Sequence, residues 1–92
     1  MENNTRAHNA LIEHVNAQLT KTTKIDCFVI MQNGEIICTY KAAGERHKFT
    51  LTCLDLNIIT PEMKLSAFMN AVEWCIDLLA NQLGRNLLGL ST

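Results

Sequence analysis

The sequence predicts an α+β fold in the order α-β-β-β-α, in which a three-stranded antiparallel meander carries both helices packed on one face. Two observations support this prediction. Apolar residues recur at helical spacing towards each end of the chain, and the middle of the chain alternates apolar and polar residues around short turns. The 92 residues are predicted to form one domain, 1–92, with a helix at about 5–20, strands at about 24–32, 35–42 and 46–56, a helix at about 61–83 and an apolar C-terminal tail at 84–92.

The first helix is predicted from a row of apolar residues spaced four apart: Ala7, Leu11, Val15 and Leu19. Any one of Asn3, Asn4 and Thr5 can cap its start. The helix is expected to end near Thr20, and its water-facing side is predicted to comprise Arg6, Asn9, Glu13 and Asn16.

The first hairpin is predicted from Asn33-Gly34, because a two-residue type I′ turn needs positive φ at both central positions. On the core face this turn pairs Met31 with Ile36, Val29 with Cys38, Cys27 with Tyr40 and Ile25 with Ala42. On the other face it pairs Ile30 with Ile37, Phe28 with Thr39, and Asp26 with Lys41 as a cross-strand ion pair. After a turn at Ala43-Gly44-Glu45, alternation in the third strand predicts Phe49, Leu51 and Cys53 inward and Lys48, Thr50, Thr52 and Leu54 outward.

The second helix is the longest periodic segment of the chain. Thr60 is predicted to cap it, Pro61 to be its first residue, Glu62 to favour its first turn, and Gly84 to stop it. The face predicted to enter the core consists of Leu65, Phe68, Met69, Val72, Cys75, Ile76, Leu79 and Leu83. The tail leucines, Leu87, Leu88 and Leu90, are expected to fold back over the core or to reach a neighbouring molecule.

A second apolar stripe accompanies this core face and comprises Met63, Ala67, Ala71, Trp74 and Leu78. A helix needs only one apolar face to join a core, so the second stripe predicts a second partner. Tryptophan is enriched among interface residues that dominate binding energy, and small alanines let another helix approach closely. The competing interpretation is that the first helix or the C-terminal leucines cover the second stripe.

Composition and motifs exclude several classes of protein. A net charge of −1 argues against a protein that wraps a polyanion, and no segment has the length of a transmembrane helix or the pattern of a signal peptide. The four cysteines show no metal-binding spacing and are predicted to be reduced core residues in a cytoplasmic protein. Ser66 and Ser91 have no predicted base nearby, so no catalytic residues are predicted. His8 and His14 are six positions apart on a helix and cannot share a face as an i, i+4 metal-binding pair would, so no metal is predicted, and no cofactor is predicted either.

Basic side chains cluster around the second turn, at Lys41, Arg46, His47 and Lys48. They could contact phosphate or an acidic protein, although charges at hairpin ends also commonly protect exposed edges. The element order resembles that of the double-stranded RNA-binding domain over about residues 5–83. That family has a Gly-Pro and His loop between its first two strands and a Lys-rich start to its last helix, where this chain has Gln32-Asn33-Gly34-Glu35 and, of the lysines, only Lys64.

We therefore predict a small, non-enzymatic protein–protein interaction module that forms a homodimer through the second stripe and also binds another protein. In kind it resembles the compact accessory and inhibitor proteins that phages and mobile elements encode. The alternative is a nucleic-acid-binding module that uses the basic turn around Lys41–Lys48. No membrane association is expected.

Overall fold

Two helices and three strands follow the predicted α-β-β-β-α order in the structure, a computed structural model that describes residues 2–52 and 54–91. The elements are α1 (Glu2–Thr23), β1 (Cys27–Gln32), β2 (Glu35–Ala42), β3 (Glu45–Leu51), a short 3₁₀ helix (Leu56–Ile58) and α2 (Leu65–Ser91). The strands form one antiparallel sheet in the order β1-β2-β3. Over the residues described, neither helix combines the length and the hydropathy that crossing a bilayer requires.

Both hairpins close through two-residue turns with left-handed backbone. Asn33 and Gly34 have φ of 54° and 77°, and Ala43 and Gly44 have φ of 55° and 78°, which is the type I′ pattern. The predicted pairing of Met31 with Ile36, Val29 with Cys38 and Cys27 with Tyr40 is confirmed. The pairing ends there because β1 begins at Cys27, so Ile25 has no strand partner among the described residues.

The junction between α1 and β1 differs from its prediction. The helix runs to Thr23 and ends with Lys24 in the left-handed conformation at φ 62°, where the Lys24 N–H donates to the Thr20 carbonyl over 2.7 Å. This is the single-bond αL helix ending, which satisfies a terminal carbonyl without glycine. The Thr23 hydroxyl donates to the Leu19 carbonyl. Residues expected to form a polar connector are therefore the last turn of α1, and at the other end the three predicted caps lie within the helix, which begins at Glu2.

The core lies between one face of the sheet and both helices, as predicted. The sheet contributes Cys27, Val29, Ile36, Cys38, Tyr40 and Leu51, α1 contributes Ala7, Leu11, Ile12, Val15 and Leu19, and α2 contributes Ala71, Val72, Cys75, Ile76, Leu79 and Leu83. Leu54 was predicted outward but is buried, because β3 ends at Leu51 and the strand alternation no longer applies beyond it. The predicted inward position of Cys53 lies outside the described residues.

The helix α2 begins and ends at residues other than those predicted from the sequence. Residues 61–63 form a turn, with the Met63 N–H donating to the Thr60 carbonyl, and the helix begins only at Leu65. Leu65 is 75% exposed, so its predicted place in the core is wrong. At the other end α2 passes through Gly84 to Ser91, so the predicted tail is helical as far as Ser91. Leu83 is fully buried and Leu87 packs against the core, so the leucines on either side of Gly84 hold the helix there.

Candidate functional site

The thiols that the structure describes pack in the core. Cys27, Cys38 and Cys75 are free and buried. Burial, reinforced by the neighbouring thiols of Cys27 and Cys75, raises the pKa of Cys38 to about 12, and burial raises the pKa of Cys75 to about 11. These two thiols therefore stay protonated at neutral pH, and a protonated thiol is a poor nucleophile and metal ligand. No group of three potential metal ligands occurs in the part of the chain that is described.

Two histidines fix α1 to its surroundings. The Nε2 atom of His8 lies 2.8 Å from the Leu56 carbonyl oxygen and so ties α1 to the 3₁₀ helix. The His14 ring meets Phe68 of α2 edge-on, with ring centroids 5.5 Å apart. These side chains position structural elements relative to one another, and neither contact gathers a base beside a nucleophile.

The structure divides the second stripe between core and surface. Ala71 is buried, and Leu78 and Met63 are partly buried against the core. Met63 precedes α2, so it does not belong to the helical stripe at all. Trp74 remains 48% exposed, and Ala67, two turns before it, is also exposed. The surface part of the second stripe is therefore Trp74 with Ala67.

The basic cluster is also divided, because successive strand residues point to opposite faces. Lys41 and Arg46 are direct cross-strand partners, and Lys48 lies opposite Thr39 on the same face. All three are exposed. His47 belongs to the other face, where its ring stacks on Tyr40 with centroids 5.3 Å apart. The Nε2 atom of His47 is buried and has no hydrogen-bond partner among the described residues, so His47 does not join the cationic group.

The sheet face turned away from the helices, which we call the open face, carries an apolar patch beside these cations. Phe28 and Ile30 are 44% and 40% exposed, and Ile37 lies opposite Ile30 on β2. The predicted ion pair on this face, Asp26 with Lys41, is not formed. These two described residues are joined by a backbone hydrogen bond of 3.0 Å from the Lys41 N–H to the Asp26 carbonyl.

The two edges of the sheet are treated differently. On β1, Val29 directs its N–H and C=O away from β2. The Val29 N–H donates to Asn16 Oδ1 and Asn16 Nδ2 donates to the Val29 carbonyl, each over 2.7 Å. The Thr20 hydroxyl donates to the Cys27 carbonyl over 3.2 Å. Asn16 was predicted to face water, and this is wrong because α1 lies along the β1 edge. On β3, residues 46, 48 and 50 have no hydrogen-bonded neighbour on their outer side within the described chain.

A groove of about 500 Å³ lies where the start of α2 approaches α1. Its apolar lining includes Ala7, Ala10, Leu65 and Phe68, and the charged residues Arg6 and Glu62 also line it. No sequence signal indicates this groove, because it depends on the turn at residues 61–63 that delays the start of α2.

Comparison with protein families, with curated proteins and with solved structures finds no match.

Proposed function

We propose that this chain is a small, non-enzymatic protein-binding module that forms a homodimer, with Trp74 at the centre of the interface. The observation that carries the proposal is the exposure of nearly half of Trp74 on a helix whose core face is already filled. A two-fold dimer would bury the same patch twice, and the exposed Ala67 would allow two α2 helices to approach closely. A cytoplasmic accessory or inhibitor role, of the kind that phages and mobile elements encode, fits such a module.

Sedimentation of the Trp74→Ala variant tests the dimer. Truncating an aromatic residue at an interface centre costs on the order of 2 kcal/mol, so the dissociation constant should rise about thirtyfold. Asn9→Ala is the matched control, because Asn9 is exposed on α1 and does not adjoin Ala67 or Trp74 on α2. Ala67→Glu should also weaken the dimer by placing a charge at the close approach.

The free energy of unfolding separates an interface role from a core role. A fully buried aromatic residue costs about 3–5 kcal/mol of stability when truncated. If Trp74→Ala keeps the oligomeric state of the parent while its denaturation midpoint falls steeply, Trp74 belongs to the core and the proposal is wrong. The proposal is also wrong if the parent chain sediments as a monomer at every concentration.

A second candidate function, nucleic-acid binding, is favoured by one observation. Lys41 and Arg46 oppose each other directly across two strands, and neither forms an ion pair among the described residues. Retention on duplex nucleic acid at two salt concentrations tests this function. Three phosphate contacts, from these residues and Lys48, would give a slope of log K against log salt of about −2.7. Lys21→Gln, on α1, is the control for a Lys48→Gln variant.

A further inference from the structure

The outer edge of β3 presents a row of backbone N–H and C=O groups that bond to no other described residue. The two-residue turn makes Ala42 and Glu45 a hydrogen-bonded pair, so bonding to β2 alternates along β3 from that pair. Arg46, Lys48 and Thr50 therefore direct their N–H and C=O groups outward. No described residue bonds to these groups, whereas α1 closes the β1 edge through Asn16.

Side chains on this edge sort by face. Arg46 and Lys48 lie on the open face, with Lys41 directly behind Arg46 on β2. On the inner face Phe49 is partly buried against the core and His47 is half-buried. A strand added to this edge would therefore meet cations on one of its faces and an aromatic, largely apolar surface on the other.

We propose that the β3 edge binds an extended segment of another protein in which acidic and apolar residues alternate, adding it to the sheet as a fourth strand. Backbone bonding would supply affinity, and side chains at every second position would supply specificity. The acids would face Arg46 and Lys48, and the apolar residues would pack beside His47 and Phe49. This surface is carried by β3 and not by α2, so the proposal is independent of the Trp74 dimer.

A second copy of this chain fits the β3 edge poorly. In the two-fold antiparallel pairing that overlaps the outward positions fully, Lys48 faces its own equivalent. Shifting the pairing by two residues towards the turn brings Arg46 opposite Lys48, whereas shifting it by two residues the other way pairs Lys48 with Thr50 and leaves Arg46 opposite a position beyond the end of β3. Like charges directly opposite each other destabilise a sheet. The cations that discourage self-pairing also select a strand of opposite charge. Nucleic acid fits less well than a strand, because phosphate can accept from the outward N–H groups but leaves the outward carbonyls unmatched.

A nine-residue peptide of alternating Glu and Val, titrated into the protein to about 1 mM, tests the proposal. Binding is expected to protect the amides of Lys48 and Thr50 from hydrogen exchange, while the amide of Phe49, already bonded to β2, changes little. The controls are a Lys-Val peptide of equal length and a peptide of the same Glu and Val content with its acids gathered at one end. Neither control peptide should bind comparably.

Two variants separate the charge from the backbone contribution. Arg46→Glu combined with Lys48→Glu should weaken the Glu-Val peptide at least about tenfold and make the Lys-Val peptide bind. Thr50→Pro should abolish binding, because it removes an outward N–H while leaving the β2 ladder intact. Lys21→Glu combined with Lys64→Glu changes the net charge equally at other elements and should leave affinity within about twofold.

Several results would overturn the proposal. These are no binding of the Glu-Val peptide at 1 mM, equal binding of the peptide with gathered acids, or binding without new protection of Lys48 and Thr50. Binding of an oligonucleotide together with failure of the Glu-Val peptide would identify a phosphate-binding patch instead. The Trp74→Ala variant should bind the peptide like the parent, so a failed dimer and a failed strand addition are distinguishable.

Discussion

The side chain of Asn16, on α1, bonds to backbone groups at the outer edge of β1, and its replacement by alanine tests how much these hydrogen bonds stabilise the fold. The side chain forms two hydrogen bonds of 2.7 Å with the backbone of Val29. Each bond contributes about 0.5–1.5 kcal/mol net, and leaving partly buried peptide groups unpaired adds to the loss. Alanine returns roughly 0.5 kcal/mol of helix propensity. We expect Asn16→Ala to lower the free energy of unfolding by about 2 kcal/mol, taking these contributions together.

Urea unfolding followed by circular dichroism measures this change. For a domain of this size, 1 kcal/mol corresponds to about 4–8 °C in melting temperature, so a shift of about 8–16 °C should accompany it. Asn9→Ala is the matched control, because Asn9 lies on the same helix, is exposed, and gains the same propensity. If Asn16→Ala is as stable as Asn9→Ala, the two hydrogen bonds do not stabilise the fold and the reasoning fails.

Three further predictions address other elements. Gly84→Ala should raise the free energy of unfolding by about 0.5–1 kcal/mol in a urea titration, because Gly84 is helical and an added Cβ meets open space; a lower midpoint would contradict this. Gly34→Val should lower the melting temperature, since valine tolerates a φ of +77° poorly, and unchanged melting would show that the turn tolerates substitution. The pKa of Cys38 is raised from 9.0 to about 12 by burial, so the unfolded thiol ionises first. Stability should therefore be retained below about pH 9 and fall from there towards pH 12, less steeply in Cys38→Ala, and an identical slope in that variant would contradict it.

The ends of α2 show why local signals predict an element better than its boundaries. The cap at Thr60 and the stop at Gly84 are local preferences, each worth about 1 kcal/mol. Burying a leucine contributes about 1.5–3 kcal/mol, and Leu83 and Leu87 both reach the core beside Gly84. The free energy gained by burying these leucines therefore exceeds the local preference of Gly84 to end the helix. By contrast, the register of the first hairpin was predictable, because Asn33-Gly34 determines it through backbone conformation within four residues.

The candidate surfaces were predictable only where alternation alone decides them. Lys41, Arg46 and Lys48 share a face by the period of the strand, and the same period places His47 on the other side. Asn16 could not be assigned from the sequence, since a helical wheel places it among polar residues and only the approach of α1 to β1 gives it a partner. The division of the second stripe likewise depends on the position of α2 over the core, which leaves Trp74 outside and takes in Ala71.

The apolar residues of the open face weaken the usual safeguard against strand slippage. In most half-buried strands, a slip of one residue turns the whole apolar set to water. β1 is apolar on both faces over its first five residues, so a slipped β1 would still bury Phe28 and Ile30. The turn at Asn33-Gly34 therefore selects the native pairing where burial alone does so weakly. Substitutions of Asn33 or Gly34 should increase the fraction of chains in which β1 pairs in the wrong register and which can aggregate. Substitutions of Phe28 or Ile30 by polar residues should decrease that fraction.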